Sequence, residues 1–411
     1  MSGQALVTGF GAVTPLGNDR ETTWRGLVSG TSGIGPITAF DASGFPTRIA
    51  GEVKKFDPAT LLEGKRLKRT ARFTQFAIAA AREAVADAGL VIDEGNSDRV
   101  GVVVNCALAG LREFEAAALH IATPGAEPLS PYLVPSVIPN MAACEVAIDL
   151  GIHGPVLTSA LACASGIYAF LQATSLISSG EADVVICGGT DSAMSPVMFA
   201  GLSSMRAMSR CNDDPCRASR PFDAGRDGFV YGEGAVLAVV ESAEHARRRG
   251  VAPYAAIAGG GLTTDAFHVS APEPSGTQSA AAIRNAIRQS GLRRSGIDYI
   301  CAHGTATRAS DHAESAAIRA VFGEQADVAV SSPKSMVGHL IGAAGALSAM
   351  VCALAIRDGI VPPTINLDSP DPDCGLAHVQ NVARRMDVRA AIVNAFGFGG
   401  QNCVAVFTRA E

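Results

Sequence analysis

The chain has 411 residues, 48% of them hydrophobic and 18% charged, with a formal net charge of -6. That balance argues against a disordered polypeptide, and the acidic excess argues against a general nucleic-acid binder, which carries a basic footprint. The ten cysteines are scattered through apolar segments at neither metal-ligand nor disulfide-scaffold spacings, the pattern of reduced intracellular thiols. The length allows two domains or one large duplicated one. The start, "MSGQALVTGFGAV", lacks the basic opening and small-residue cleavage site of a signal peptide, so the expectation is a cytoplasmic protein.

Short apolar runs alternate with helical stretches along the chain, as in parallel sheets covered by helices. "ALVTGF" from Ala5 reads as a strand and Arg72 to Gly89 as an amphipathic helix. Arg99 to Asn105 reads as a second strand, and "GPVLTSALA" from Gly154 as a strand-like run giving way to a helix from Gly166 to Gly180. Strands follow at Ala182 to Gly189 and Gly234 to Ser242, and the basic, polar Glu244 to Pro253 marks the junction between halves. The second half offers a helix from Thr277 to Gly291 and strands around Tyr299, Ala329 and Val393.

Ser335 to Ile356 carries no formal charge and approaches membrane-spanning length. Its first half holds a histidine and several glycines, so it reads as a glycine-rich loop feeding a buried helix near Ala344 rather than a membrane span. The helix from Gly345 stops at Gly359 with the spacing of Gly166 to Gly180. That repeat, and strands in both halves, suggest a duplicated α/β unit.

Four segments offer chemistry. Cys163 lies where a helix begins, and the free N–H groups and dipole of a helix amino terminus favour a thiolate. Alone, a cysteine among small residues is more commonly a packed core residue. "CAHGTATRASDHAE" places His303 just after a short buried strand, and "SSPKSMVGHLIGAAG" does the same for Lys334 and His339. One such histidine is unremarkable, whereas two in matching strand-end settings point to a shared task. "NAFGFGGQN" from Asn394 surrounds Phe396 and Phe398 with three glycines. It fits a hairpin or a loop that turns backbone N–H groups toward a developing oxyanion.

Together these segments, with "VTGFGAVTPLG" near the start and "SRPFDAGRDGFVYGEGA" from Ser219, resemble the elongating, type II β-ketoacyl-[acyl carrier protein] synthases of the thiolase-fold condensing enzymes. The resemblance covers nearly the whole chain. It implies an α/β fold of thiolase-like duplicated βαβαβαββ halves stacked in five αβαβα layers. The N-terminal half, 1–250, would carry the cysteine and the C-terminal half, 251–411, the two histidines. It further implies decarboxylative condensation of malonyl carrier thioester with a Cys163-bound acyl chain.

Residue by residue, the resemblance makes Cys163 the nucleophile and His303 and His339 donors to the malonyl thioester carbonyl. Lys334 and Glu314 become a supporting pair, and Asp311 a structural polar residue of the loop after His303. Thr305 and Thr307 would touch the pantetheine arm, and the N–H groups of Cys163 and Phe398 would form an oxyanion hole. The Phe398 ring would gate the site beside Phe396, and Leu108 would line the acyl pocket near a dimer interface.

The chemistry fits independently. Losing carbon dioxide from a malonyl thioester yields a carbanion without a strong base if two neutral imidazoles hold the enolate oxygen, and the Lys334 ammonium disfavours imidazolium. No metal or other cofactor is needed, since 4'-phosphopantetheine arrives on the substrate. The implied partners are an acyl carrier protein and a second subunit, either a copy of this chain or a chain-length partner. No nucleic acid and no membrane are expected.

Leu161, Arg308, Ser310 and Gln401 depart from the family's more usual threonine, proline, glycine and threonine, which leaves the acyl substrate open between fatty-acid and specialised polyketide or polyene synthesis. A non-catalytic chain-length partner would lack Cys163. A thiolase would place a second cysteine in the glycine-rich turn, where this chain has none before Cys403. The run "GKRLKRTAR", with Lys65, Arg66, Lys68, Arg69 and Arg72, reads as a carrier-docking patch nearly free of compensating acids, and the resemblance implies Arg206 as a further basic position facing the carrier.

Overall fold

A computed structural model describes residues 4–324 and 327–410. The ten strands of its main sheet run in chain order as β1 (Ala5–Val13), β2 (Val100–Asn105), β3 (Val156–Leu157), β4 (Val184–Asp191), β5 (Gly234–Ser242), β6 (Ala255–Thr264), β7 (Tyr299–Cys301), β8 (Ala329–Ser331), β9 (Ala390–Gly397) and β10 (Gln401–Thr408). Their spatial order is β8-β7-β9-β10-β6-β1-β5-β4-β2-β3. Reading outward from the centre, the first half runs 1-5-4-2-3 and the second 6-10-9-7-8, one permutation used twice. The pairing senses repeat as well. β2 is parallel to β3 and β4, as β7 is to β8 and β9, while β5 and β10 close each half antiparallel. β1 and β6 join the halves antiparallel through Ala5–Val7 and Ala255–Ile257.

Six helices build the layers: α1 (Arg72–Asp87), α2 (Met141–Leu150), α3 (Ser165–Ser178), α4 (Thr277–Ser290), α5 (Arg308–Phe322) and α6 (Ala344–Asp358). Because successive strand side chains alternate faces, Val102 and Val104 of β2 pack with α1 and α2, whereas Val103 faces α3 and α6. In the second half Ile392 of β9 packs with α4 and α5, and Val393 faces the central helices. The result is five layers, helix, sheet, helix, sheet, helix, with α3 and α6 in the middle.

Those middle helices start close together. A Cβ on Gly166 would lie 2.6 Å from the Gly342 carbonyl, and one on Gly345 2.6 Å from the Ile167 nitrogen. Only glycine permits that approach, and it sets the two helix starts side by side. The apolar stretch Ile341–Asp358, long enough to cross a membrane, is 89% buried inside the molecule.

Two segments take a more definite form. The run from Gly154 is a strand only at Val156–Leu157, because the Asn105 side chain accepts the Ser159 N–H at 2.7 Å and draws the backbone off the ladder. The polar segment at Glu244 is mainly a helix, Ala243–Arg249, whose first turn is capped by the Ser242 hydroxyl.

Candidate active site

Cys163 sits in a single 3-10 turn, Ala162–Ala164, that leads directly into α3. Ala162 holds a left-handed φ of 46°, a costly conformation for a residue with a Cβ. Ser165 steadies the turn, donating to the Ala162 carbonyl at 2.7 Å and accepting the Leu161 N–H at 2.9 Å. The glycine-rich turn after β9 lies against it. A Cβ on Gly397 would meet the Leu161 carbonyl at 2.7 Å and the Cys163 nitrogen at 3.3 Å. Glycine there lets the Phe398 N–H reach the Cys163 sulfur, alongside the N–H of Cys163 itself. Burial pushes the thiol up to about 11, against the pull of Lys334 and those two N–H groups. The expected thiolate is therefore not the resting state, because desolvation outweighs the helix terminus.

His303 follows β7, and its placement is a backbone matter. Glu314, on α5, accepts the N–H of His303 and of Gly304, each at 2.8 Å, and the Asn394 amide at 3.0 Å. His339 is fixed through its ring. Its Nδ1 accepts the Ile341 N–H at 3.2 Å, which in the neutral ring leaves the proton on Nε2, a buried atom with no partner. The two rings stand edge to face, 5.4 Å between centroids. Both histidines are held well below their ordinary range, by burial first and the Lys334 charge second. The neutral state was expected from Lys334 alone, and burial proves the larger cause.

Lys334 is buried, and burial lowers its pKa. Its partner in the expected supporting pair, Glu314, has its carboxylate occupied by the three donors just described, and the two charges interact through space rather than as a salt bridge among the described residues. Asp311 lies in the first turn of α5, not in a loop. It accepts the N–H groups of Phe222, Thr305 and Ala306 and stands 3.4 Å from the Arg226 guanidinium. The segment from Arg308 is helical because Thr307 enters it extended and the apolar positions face α4.

One cavity of about 390 Å³ brings together Cys163, His303, His339, Glu314, Thr305, Thr307, Phe396 and Phe398. Its wall is apolar at Leu202, Phe229 and Ile341 and polar near Ser270 and the two threonines, whose hydroxyls lie 3.1 Å apart. Phe398 is 42% exposed, and the Phe396 ring lies 5.8 Å from that of His303. Leu108 is not in this wall. It packs behind Ile341 and Phe229, and its N–H is bonded to Asp191 at 3.0 Å. Cys403 is buried in β10 opposite Leu262, outside the cavity, so among the described residues no second thiol of the thiolase kind lines the cavity with Cys163.

The basic run also differs from expectation. Arg66 is bound by Glu145 and Asp149, and Arg72 by Glu233, so acids distant in sequence compensate the cluster. Lys65, Lys68 and Arg206 are exposed, and Arg69 stacks over Tyr132 at 5.5 Å.

Three supporting residues escaped sequence reading: Asn394, Arg226 and Asp191. Asp191, at the end of β4, accepts four backbone N–H groups, from Ala107, Leu108, Ala109 and Gly342. It thereby ties the turn after His339 to the first half of the molecule. Burial pushes its carboxyl up to about 6. Its signal was an acid closing the apolar run "VVICGGTD".

Residues 4–246 match the family described as "Beta-ketoacyl synthase, N-terminal domain", and residues 254–368 match "Beta-ketoacyl synthase, C-terminal domain". The chain is 44% identical over 407 residues to a protein of Coxiella burnetii named 3-oxoacyl-[acyl-carrier-protein] synthase 2, covering 99% of this chain and 98% of that one. A Staphylococcus aureus protein of the same name is 44% identical, with 99% of both chains covered. Among solved structures, the ishigamide ketosynthase/chain length factor superposes with a TM-score of 0.94 at 36% identity. A type II PKS ketosynthase, solved with its acyl-carrier protein and bound to the hexaketide, does so with 0.91 at 30%. Each covers 100% of both chains.

Proposed function

This chain belongs to the beta-ketoacyl synthase family, and we propose that it condenses malonyl-[acyl carrier protein] with an acyl group held on Cys163, releasing carbon dioxide and a β-ketoacyl thioester two carbons longer. The observation that carries this reading is the convergence, in one cavity, of the Cys163 sulfur, two N–H groups directed at it, and two neutral imidazoles.

In the first step the Cys163 sulfur attacks the acyl thioester carbon, the carbonyl oxygen is held by the N–H groups of Cys163 and Phe398, and the carrier thiol leaves with the proton. The thiol starts protonated, so loading is a proton exchange between two sulfurs. In the second step malonyl thioester enters past Thr305 and Thr307, and His303 and the Nε2–H of His339 donate to its thioester oxygen. The carbon–carbon bond to the departing carboxylate breaks and its electrons form the enolate; the enolate carbon then attacks the Cys163 thioester, the carbon–sulfur bond breaks, and the released Cys163 sulfur takes up a proton from solvent to restore the thiol. Neutral donors suit this step because they stabilise the enolate oxygen without protonating it. Burial, and after it the Lys334 charge, keeps the imidazoles neutral, and Glu314, Asn394 and Asp311 hold the strand end that carries His303. The chemistry calls for no bound metal, nucleotide or redox cofactor.

The reading extends to partners. Malonyl and acyl groups arrive on an acyl carrier protein, met by Lys65, Lys68, Arg69 and Arg206. The chain works as a dimer, with a copy of itself or with a chain-length partner. Edge strand β3 and the exposed apolar side chains of Leu111, Phe114, Leu119 and Ile121 support a subunit contact. The free state of all ten cysteines supports a reducing, cytoplasmic setting. The test is intact-protein mass spectrometry after incubation with acyl-carrier thioesters, followed by malonyl carrier. An acyl adduct on Cys163 that is then discharged as a β-ketoacyl product supports the reading, and no adduct on Cys163 overturns it.

A further inference from the structure

The cysteines divide by access. Seven are buried, Cys144 and Cys211 are half-buried, and Cys216 is exposed. Cys211 and Cys216 share one loop, "RCNDDPCRA" from Arg210, and both border the cluster that contains Ile34. Cys211 packs on the small apolar cluster of Ile34, Ile49, Ala218 and Val230. Its thiol lies 3.6 Å from the Asp214 carbonyl, so the chain doubles back within the loop. The Cys216 thiol lies 3.8 Å from the Ile34 carbonyl.

The loop is pinned at its ends and middle. Arg210 donates its N–H to Asp227 at 2.9 Å, Asn212 is bonded to Arg48 and Pro46, and the Cys216 carbonyl accepts the Asn366 amide at 2.9 Å. A short, pinned loop limits how far the two sulfurs can separate, which lowers the entropy cost of joining them. The cysteines stand five positions apart, and the 3-10 turn Pro215–Arg217 makes the chain between them shorter than an extended run; closing the bond needs their Cα atoms within about 7 Å of each other.

We propose that Cys211 and Cys216 form a reversible dithiol–disulfide pair, oxidised by a hydroperoxide or a small-molecule disulfide such as glutathione disulfide. With the disulfide oxidant, one thiolate attacks an oxidant sulfur and expels one glutathione. The other then attacks the mixed disulfide and expels the second, so two thiols become one disulfide as the oxidant takes up two electrons and two protons. With a hydroperoxide, the first product is a sulfenic acid, which the second thiol condenses with loss of water.

The position gives the bond a consequence. Upstream, Ala207 and Ser209 are hydrogen-bonded to Phe229, with which Ala207 shares the active cavity's wall. Downstream, the Ser219 hydroxyl donates to the Lys334 carbonyl at 2.7 Å. A closed disulfide therefore stiffens the connection between the cavity wall and the segment leading to His339.

The full-length protein offers a direct test, because trypsin cleaves after Arg210 and Arg217 and releases both cysteines in one peptide. After treatment with glutathione disulfide and alkylation of free thiols, that peptide should carry no alkyl groups and weigh two hydrogens less than its reduced form. Dithiothreitol before alkylation should restore two alkyl groups. In Cys216→Ser the same treatment should leave Cys211 alkylated or carrying a glutathione that cannot resolve. A wild-type peptide that keeps two alkylated thiols, or that carries glutathione on Cys216 without closing, overturns the proposal.

Discussion

His303 and His339 meet edge to face across the cavity, their ring planes at 85°. They are fixed by different means, His303 through its backbone on Glu314 and His339 through Nδ1 on the Ile341 N–H. Replacing either with alanine removes one donor from the enolate oxygen. Losing a comparable oxyanion donor costs about 2.7–4 kcal/mol, or roughly two to three orders of magnitude in rate. Decarboxylation of malonyl carrier, followed as released carbon dioxide, should fall by that much. Loading of Cys163 should suffer less, since backbone N–H groups serve it. Equal losses in both steps would contradict the division of labour.

The neutrality of these rings has a pH signature. Both folded-state values lie well below 6.5, so unfolded chains bind protons that the native state refuses as pH falls below about 6.5. Stability contributed by the neutral rings is therefore present above that pH and is lost on acidification. The loss reaches about 1.4 kcal/mol per histidine one unit below the unfolded value. Denaturant midpoints measured from pH 7.5 to 5.5 should decline, and the decline should shrink in His303→Ala. Decarboxylation should stay flat from pH 8 to 6.5, and a rise or fall centred near 6.5 would show a ring titrating normally.

Cys163→Ala should separate the two half-reactions. The substitution removes the sulfur but leaves the Phe398 N–H and both imidazoles in the cavity. Acyl adducts should disappear from the intact-protein mass spectrum and elongation should stop, while carbon dioxide release from malonyl carrier continues. A covalent acyl adduct persisting in this variant would place the nucleophile elsewhere.

Much of this arrangement was legible before the fold. Cys163, His303 and His339 each stand at a turn between an apolar segment and a helix, and such local signals survive in a linear reading. What stayed hidden depends on distance in sequence. Asn394 reaches Glu314 across 80 positions, and Asp191 reaches Gly342 across 151, so neither partner has a local mark. The Cys163 thiol was misjudged for the same reason. A helix terminus is visible in sequence, whereas the desolvation that opposes it comes from packing by the opposite half. The basic run "GKRLKRTAR" likewise looked uncompensated because Glu145, Asp149 and Glu233 lie far along the chain.

That correction sharpens the docking prediction. Arg66 and Arg72 are committed to buried carboxylates, and removing them would leave Glu145 and Glu233 without their arginines and report on folding rather than docking. Lys65 and Lys68 are exposed on the short helix Gly64–Arg69, and they remain available to an acidic carrier although the enzyme's own net charge is -6. Exposed rim charges act mainly on association rate and its salt dependence. Lys65→Glu combined with Lys68→Glu should raise KM for acyl carrier substrates several-fold at low salt and flatten its dependence on ionic strength. The kcat should hold, and activity with small pantetheine thioesters, which do not touch this helix, should change little. Arg69→Ala is a different case, because its guanidinium lies over the Tyr132 ring. Its loss should combine a weaker salt slope with a small drop in stability. If the double glutamate variant loses carrier and small-thioester activity equally, the helix serves the fold and the carrier docks elsewhere.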